Sequence, residues 1–169
     1  VASRLEPENN ADITIKAMEL LNTDKKLIIA GGANYQSEYI KSIMQTKDKR
    51  IKFLGPIYSE GHIKELHCNC FAYIHGNEVG GTNPALLKAM GYANMIFALD
   101  NVFNNEVLSD SGISYSKNPE QLANKMQNLI NNPNLREEYK SKTIIRIKQN
   151  YTWGKITNDY IKLFESLVN

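Results

Sequence analysis

Apolar and polar residues fall in alternating blocks along this chain, and each block has the length and flanks of one structural element. Compact apolar runs at residues 26–30 (KLIIA), 51–54, 71–74 (FAYI), 95–99 and 112–115 are rich in β-favouring side chains and bounded by glycine, proline or asparagine, as buried strands are. Between them apolar residues recur at helical spacing: Ile13, Ala17, Leu20 and Leu21; Tyr39, Ile40, Ile43 and Met44 within 35–44; Ile63 and Leu66 within 59–67; then Val102, Phe103, Val107 and Leu108. Asn118-Pro119-Glu120 opens a helix carrying Leu122, Met126, Leu129 and Ile130, Asn132-Pro133 stops it, and 135–149 and 153–167 predict two more. Strands alternating with helices in this way predict crossover connections, and so a doubly wound α/β fold with a parallel sheet covered on both faces. Such sheets bind ligands at the carboxyl ends of their strands, where the winding reverses. No repeat or linker interrupts the pattern, so residues 1–169 are expected to form one domain.

One of these connections is the most informative. After the run ending at Ile74 comes GNEVGGTNPALLKAM, residues 76–90, which reads as a glycine turn followed by a capped helix. Gly80 and Gly81 lack a Cβ, so their amides can meet a ligand closely. Thr82 or Asn83 can cap the helix, Pro84 suits its first turn, and Ala85, Leu86, Leu87, Ala89 and Met90 continue it. A helix amino end with free N–H groups is a natural seat for phosphate. By itself the stretch serves equally well as a strand-to-helix turn that binds nothing.

Composition narrows the picture. Hydrophobic residues make up 42% and charged residues 22% of 169, ordinary for a soluble globular chain. Twenty basic residues against eighteen acidic ones leave +2, too balanced for a nucleic-acid partner without a local patch, and none is evident. No run approaches the roughly eighteen apolar residues of a membrane span, and no leader is visible, so a cytoplasmic protein is expected. Cys68 and Cys70 stand too close for a framework disulfide and are expected as sheltered, reduced thiols. Val1 begins abruptly, as though the segment came from a longer protein.

Three segments together resemble the carboxy-terminal half of the family-four retaining glycosyltransferases with the GT-B fold, which is Rossmann-like. Ser3-Arg4-Leu5-Glu6-Pro7-Glu8-Asn9 is similar to the family's Gly-Arg-Leu…Pro-Glu-Lys segment. Gly31-Gly32 and Phe53-Leu54-Gly55 match its glycine turn and strand end. GGTNPALLKAM aligns with its Glu-Gly-Phe-Gly…Leu-Glu-Ala-Met, and the ending YTWGKITNDYIKLFESL resembles its terminal Trp-bearing helix. Within the family, HG…VGGTNP…LL looks most like rhamnosyltransferase-type enzymes of bacterial surface-polysaccharide assembly.

The resemblance implies that this half binds a nucleotide-diphosphate sugar, while an amino-terminal Rossmann domain binds a saccharide or lipid-linked acceptor. Arg4 would bond the diphosphate, and the amides of Gly81, Thr82 and Asn83 its outer phosphate, with no metal or other cofactor required. The fragment alone would not transfer sugar. Departures matter too: the family's lysine is Asn9 here, and its two glutamates, which bond sugar and ribose, fall on Gly80 and Lys88. Glu78 is the candidate substitute. Gly31-Gly32 would lie beside the nucleotide, Ile57 and Tyr58 would pack against the base, and His75 would contact ligand or simply end its strand.

Other residues are expected to be structural. His62 and His67 have no metal-ligand spacing, and Trp153 reads as a packing anchor. The basic face of 135–148 is expected in solvent, with weak docking at a membrane surface as the minor alternative. Two rivals remain: a non-catalytic sugar-nucleotide binding module, and a GT-B sugar-nucleotide epimerase, for which no catalytic carboxylates and histidine can be assigned.

Overall fold

Five short strands alternate with helices in the computed structural model, which describes residues 1–33, 35 and 37–168. A 3-10 turn, Pro7–Asn9, leads into α1 (Ala11–Glu19), β1 (Leu27–Ala30), α2 (Glu38–Ile43), β2 (Ile51–Gly55), α3 (Glu60–Asn69) and β3 (Tyr73–His75). Next come α4 (Pro84–Gly91), β4 (Ile96–Leu99), α5 (Val102–Leu108), β5 (Ile113–Tyr115), α6 (Pro119–Asn131), α7 (Pro133–Asn150) and α8 (Trp153–Val168). Asn83, Asn101 and Asn118 cap α4, α5 and α6 by accepting the backbone N–H of Ala85, Asn104 and Gln121, and Ser37 caps α2 through Ile40. Each side-chain oxygen satisfies a donor that the helix leaves without a partner.

All pairing is parallel. Hydrogen bonds join β1 to β2 and, separately, β3 to β4 to β5. The first residues run beside β1, where Ala2 bridges Ala30, and the Tyr73 hydroxyl of β3 donates to the Ala2 carbonyl at 3.3 Å. β4 shows why the sheet needs cover on both faces. Its four residues are all buried, and alternation sends Phe97 and Leu99 to a core under α1 and α6, Ile96 and Ala98 to a second core under α4 and α5. This is a Rossmann-like α/β architecture, as expected from the sequence.

Several boundaries and environments differ from expectation. β3 starts at Tyr73 rather than Phe71, because Arg136 of α7 takes the carbonyls of Phe71 at 2.8 Å and Cys70 at 3.3 Å. α2 begins only after its Ser37 cap; Gln36, within the expected span, lies outside the described residues. The basic face of α7 is not simply solvated: besides Arg136, Arg146 reaches the Val107 and Glu106 carbonyls at 3.1 and 2.6 Å. α8 touches α7 yet buries none of its residues, so Trp153 is 87% exposed instead of anchoring the helix. Cys70 is half-buried, its thiol donating to Asn94 Oδ1 at 2.9 Å, whereas Cys68 is exposed rather than sheltered. Among the described residues no helix is long and apolar enough to cross a membrane.

Candidate functional site

Within each sheet parallel pairing puts the strands' carboxyl ends on one edge, and the connections that leave those ends carry most of the residues singled out from the sequence. Ala30 leads into Gly31-Gly32, Gly55 into Pro56-Ile57-Tyr58, His75 into the long loop before α4, and Tyr115 into Ser116-Lys117. A cavity of about 420 Å³ opens on this edge, lined by Ser3, Arg4, Glu6, Gly31, Gly32, Pro56, Ile57 and Tyr58 among others. Gly31 is required by space as well as by its φ of +145°: a Cβ there would meet the Ser3 carbonyl oxygen at 1.8 Å. A larger groove of about 700 Å³ adjoins it, sharing Ala2, Ala30, Ile57 and Ile63; its walls are mainly apolar, with Leu27, Ile28, Ile74 and Phe97, but include Lys25, Lys26 and Glu65.

Arg4 is exposed and borders the cavity, and among the described residues its guanidinium has no hydrogen-bond or salt-bridge partner. Asn9 plays a different part from the lysine it replaces in the resemblance. It is 5% exposed, and its amide donates to the Arg4 carbonyl at 2.8 Å, so it shapes the Arg4 turn instead of facing the cavity. At the cavity rim the Tyr35 hydroxyl donates to Glu6 Oε2 at 2.8 Å, a contact the sequence did not suggest.

The loop after β3 has a tied stem and an open tip. Asn10 Nδ2 donates to the Gly76 carbonyl at 2.9 Å and to Glu78 Oε1 at 2.8 Å, while the Glu78 N–H donates to the Glu8 carbonyl at 3.0 Å. From the other side Asn101 and Asn104 both donate to the Asn77 carbonyl at 3.0 Å. Gly76 makes the close packing feasible, since a Cβ there would lie 2.3 Å from the Asn9 carbonyl oxygen. Beyond Glu78 the contacts stop. Val79, Gly80, Gly81 and Thr82 are exposed, Gly80 has φ +114°, and neither glycine has a neighbour within 4 Å of where a Cβ would stand. The N–H groups of Gly80, Gly81 and Thr82 find no partner among the described residues. They lead into the Asn83 cap of α4, whose first turn carries no acidic side chain to offset the helix dipole.

Glu78 and His75 are less free than expected. Lys117 forms an ion pair with Glu78 Oε1, and this ammonium together with the Asn10 amide holds the carboxyl below the usual range. One of its two carboxylate oxygens, Oε1, is thus already engaged from two sides. His75 is the last residue of β3, so alternation puts it on the Tyr73 face, 1% exposed and away from the cavity lining. Neither ring nitrogen has a partner among the described residues, and burial pushes its pKa down to about 4, leaving the ring neutral. Lys88 is exposed on α4, more than a turn beyond Asn83. His62 is exposed, and His67 is buried, its Nδ1 lying 3.1 Å from Asn94 Oδ1. No three His, Cys, Asp or Glu side chains cluster as a metal site would need, among the described residues.

Sequence reasoning missed Asn10, Gly76 and Lys117. Asn10 left one trace, since asparagine tolerates the left-handed conformation it adopts at φ 52° before α1. Nothing local marked Lys117, whose partner lies on another crossover.

Residues 1–146 match the family described as "Glycosyl transferases group 1". The chain is 38% identical over 151 residues to an uncharacterized glycosyltransferase of Methanocaldococcus jannaschii, the alignment covering 86% of this chain and 38% of that protein. Among solved structures it is similar to HepE of Anabaena in complex with UDP, with a TM-score of 0.88 and 20% identity over 98% of this chain and 47% of that one. It is also similar to the C-terminal domain of LpcC, a glycosyl transferase group 1 family protein of Francisella tularensis, with a TM-score of 0.79 and 19% identity over 89% of this chain and 83% of that one. HepE has also been solved with UDP-glucose. The chain therefore spans well under half the length of the curated relative and about half of HepE.

Proposed function

The chain belongs to the group 1 glycosyl transferases, and from that premise we propose that it is the donor-binding domain of a retaining GT-B enzyme. That enzyme moves a hexosyl or deoxyhexosyl group, rhamnose being the model case, from a nucleotide diphosphate to a polysaccharide or lipid-linked acceptor. The observation that carries this reading is the unbonded Gly80-Gly81-Thr82 tip at the amino end of α4, on the same edge as Arg4 and its cavity. The complexes of HepE with UDP and UDP-glucose support it, as likenesses of fold.

In this reading the base lies against residues 56–58, near Gly31-Gly32, and the diphosphate between Arg4 and the tip. When the sugar leaves, negative charge grows on the phosphate oxygens. Preset amides, a helix dipole and a guanidinium stabilise that charge without rearranging, so no metal is required. Residues 1–169 act as one domain, and a separate amino-terminal domain supplies the acceptor side of the cleft, at or near the cytoplasmic membrane face.

Calorimetry with UDP, GDP, dTDP and the matching monophosphates tests the proposal. One diphosphate should bind at least about tenfold more tightly than its monophosphate, and Arg4→Ala should reduce that preference. Equal affinity for both, or no diphosphate bound, refutes it. One observation favours a second reading, a binding module that transfers nothing: Gly80 and Lys88 stand where the resemblance implies glutamates. Sugar transfer by a longer form of the protein separates the two.

A further inference from the structure

Glu78 is the last tied residue before the open tip, and it carries its negative charge two residues before Gly80. Two residues of chain span at most about 7 Å, so its Cα lies within that distance of Gly80. Charges still interact over roughly 8 Å at physiological salt, so a carboxylate borne on the chain this near the tip bears on an anion held there. A carboxylate there opposes binding of an anion unless something cancels it.

The structure supplies a cation for that purpose. We propose that Lys117 is a positioning residue for donor binding, neutralising Glu78 so that this carboxylate can anchor the loop stem without repelling the pyrophosphate. Its ion pair is with Glu78 Oε1, the same oxygen that accepts from Asn10 at 2.8 Å. The anchor is thereby held from two sides: Asn10 at the start of α1, and Lys117 in the connection from β5 to α6. The Glu78 N–H on the Glu8 carbonyl completes the clasp. Both side chains of the pair keep solvent contact, 54% for Lys117 and 29% for Glu78, so either can be changed without opening a core. This inference rests on the donor-binding reading above, and it assigns Glu78 to the loop and not to the sugar.

Charge compensation has a signature that simple anchoring lacks. If the pair only holds the loop, breaking it from either side weakens binding. If Lys117 also cancels charge, the two single variants move affinity in opposite directions. The probe is inorganic pyrophosphate, which does not depend on the base, titrated calorimetrically into the 169-residue chain, with the glycine amide region of an NMR spectrum followed in parallel.

Lys117→Met should weaken pyrophosphate binding by about tenfold, and Lys117→Arg should stay close to the parent. Glu78→Gln keeps an oxygen for Asn10, removes the negative charge and frees the ammonium, so it should tighten binding by about threefold. The Glu78→Gln, Lys117→Met double variant should return near the parent, and all shifts should shrink in high salt. Weaker binding by both single variants, or no change on Lys117→Met, overturns the assignment while leaving the donor-binding reading intact. A parent chain that binds neither pyrophosphate nor any nucleoside diphosphate overturns both.

Discussion

Gly76→Ala isolates the contact that holds the donor-side loop against the rest of the domain. A methyl group there would lie 2.3 Å from the Asn9 carbonyl oxygen, 3.2 Å from its carbonyl carbon and 3.3 Å from Asn10 Cβ, against an ordinary contact of 3.4–4 Å. The loop and the Asn9-Asn10 backbone must separate by about 1 Å, and neither is the flexible end of a side chain. That movement strains the buried Asn10 bond to the Gly76 carbonyl and the Glu78 bond to Glu8. Overpacking costs about 1–3 kcal/mol and one weakened buried hydrogen bond about 1 kcal/mol, while the stiffer unfolded chain returns roughly 0.5 kcal/mol. The net loss is about 2–3 kcal/mol, or a fall in Tm of roughly 4–12 °C for a domain of this size. Urea unfolding followed by circular dichroism should show a lower midpoint with an unchanged slope. Gly81→Ala is the control, since nothing lies within 4 Å of its added carbon; its midpoint should hold or rise. A Gly76→Ala midpoint equal to that of the control refutes the reasoning.

Two other predictions concern the interior. Asn94 is 4% exposed; its Oδ1 faces His67 and the Cys70 thiol, and its Nδ2 donates to the His67 carbonyl at 2.9 Å. Asn94→Ala removes the partner of His67 Nδ1 and leaves the Cys70 thiol and the His67 carbonyl only each other, at 3.4 Å, and should cost about 2–4 kcal/mol, read from the urea midpoint; a change under about 1 kcal/mol contradicts it. His75 titrates near 6.5 when unfolded and near 4 when folded, because burial disfavours its charged form. Between those values the unfolded chain holds a proton that the folded chain does not, so stability falls as pH drops through that window, by on the order of 3 kcal/mol at its lower end. Burial of His67 acts in the same direction. Midpoints at pH 4.5 and 7 should differ less in His75→Phe than in the parent, and an identical difference removes His75 as the cause.

The donor-side edge joins tightly packed parts to free ones. Its stem is held through Asn10, Glu8, Asn101 and Asn104, while the N–H groups of its tip meet no partner among the described residues. A tied stem fixes where the tip starts and the Asn83 cap where it ends, which limits the order left to impose on the free amides between them.

The glycine turn before α4, its asparagine cap and the order of strands and helices were legible in the sequence because they are local. Apolar runs, helical spacing and caps act over a few residues, and parallel crossovers then oblige the strand ends carrying Gly31, Ile57 and Gly80 to share an edge. His75 shows where that reasoning stops. Its ring lies two positions after Tyr73 and so shares that residue's buried face by strand alternation; the apolar run located the strand but not which face its last residue presents. The pairing of Glu78 with Lys117 and Asn10, the inward turn of Asn9 and the close approach at Gly76 belonged to the tertiary structure alone. They depend on which distant segments meet, and a chain's local chemistry carries no record of that until its layers have packed.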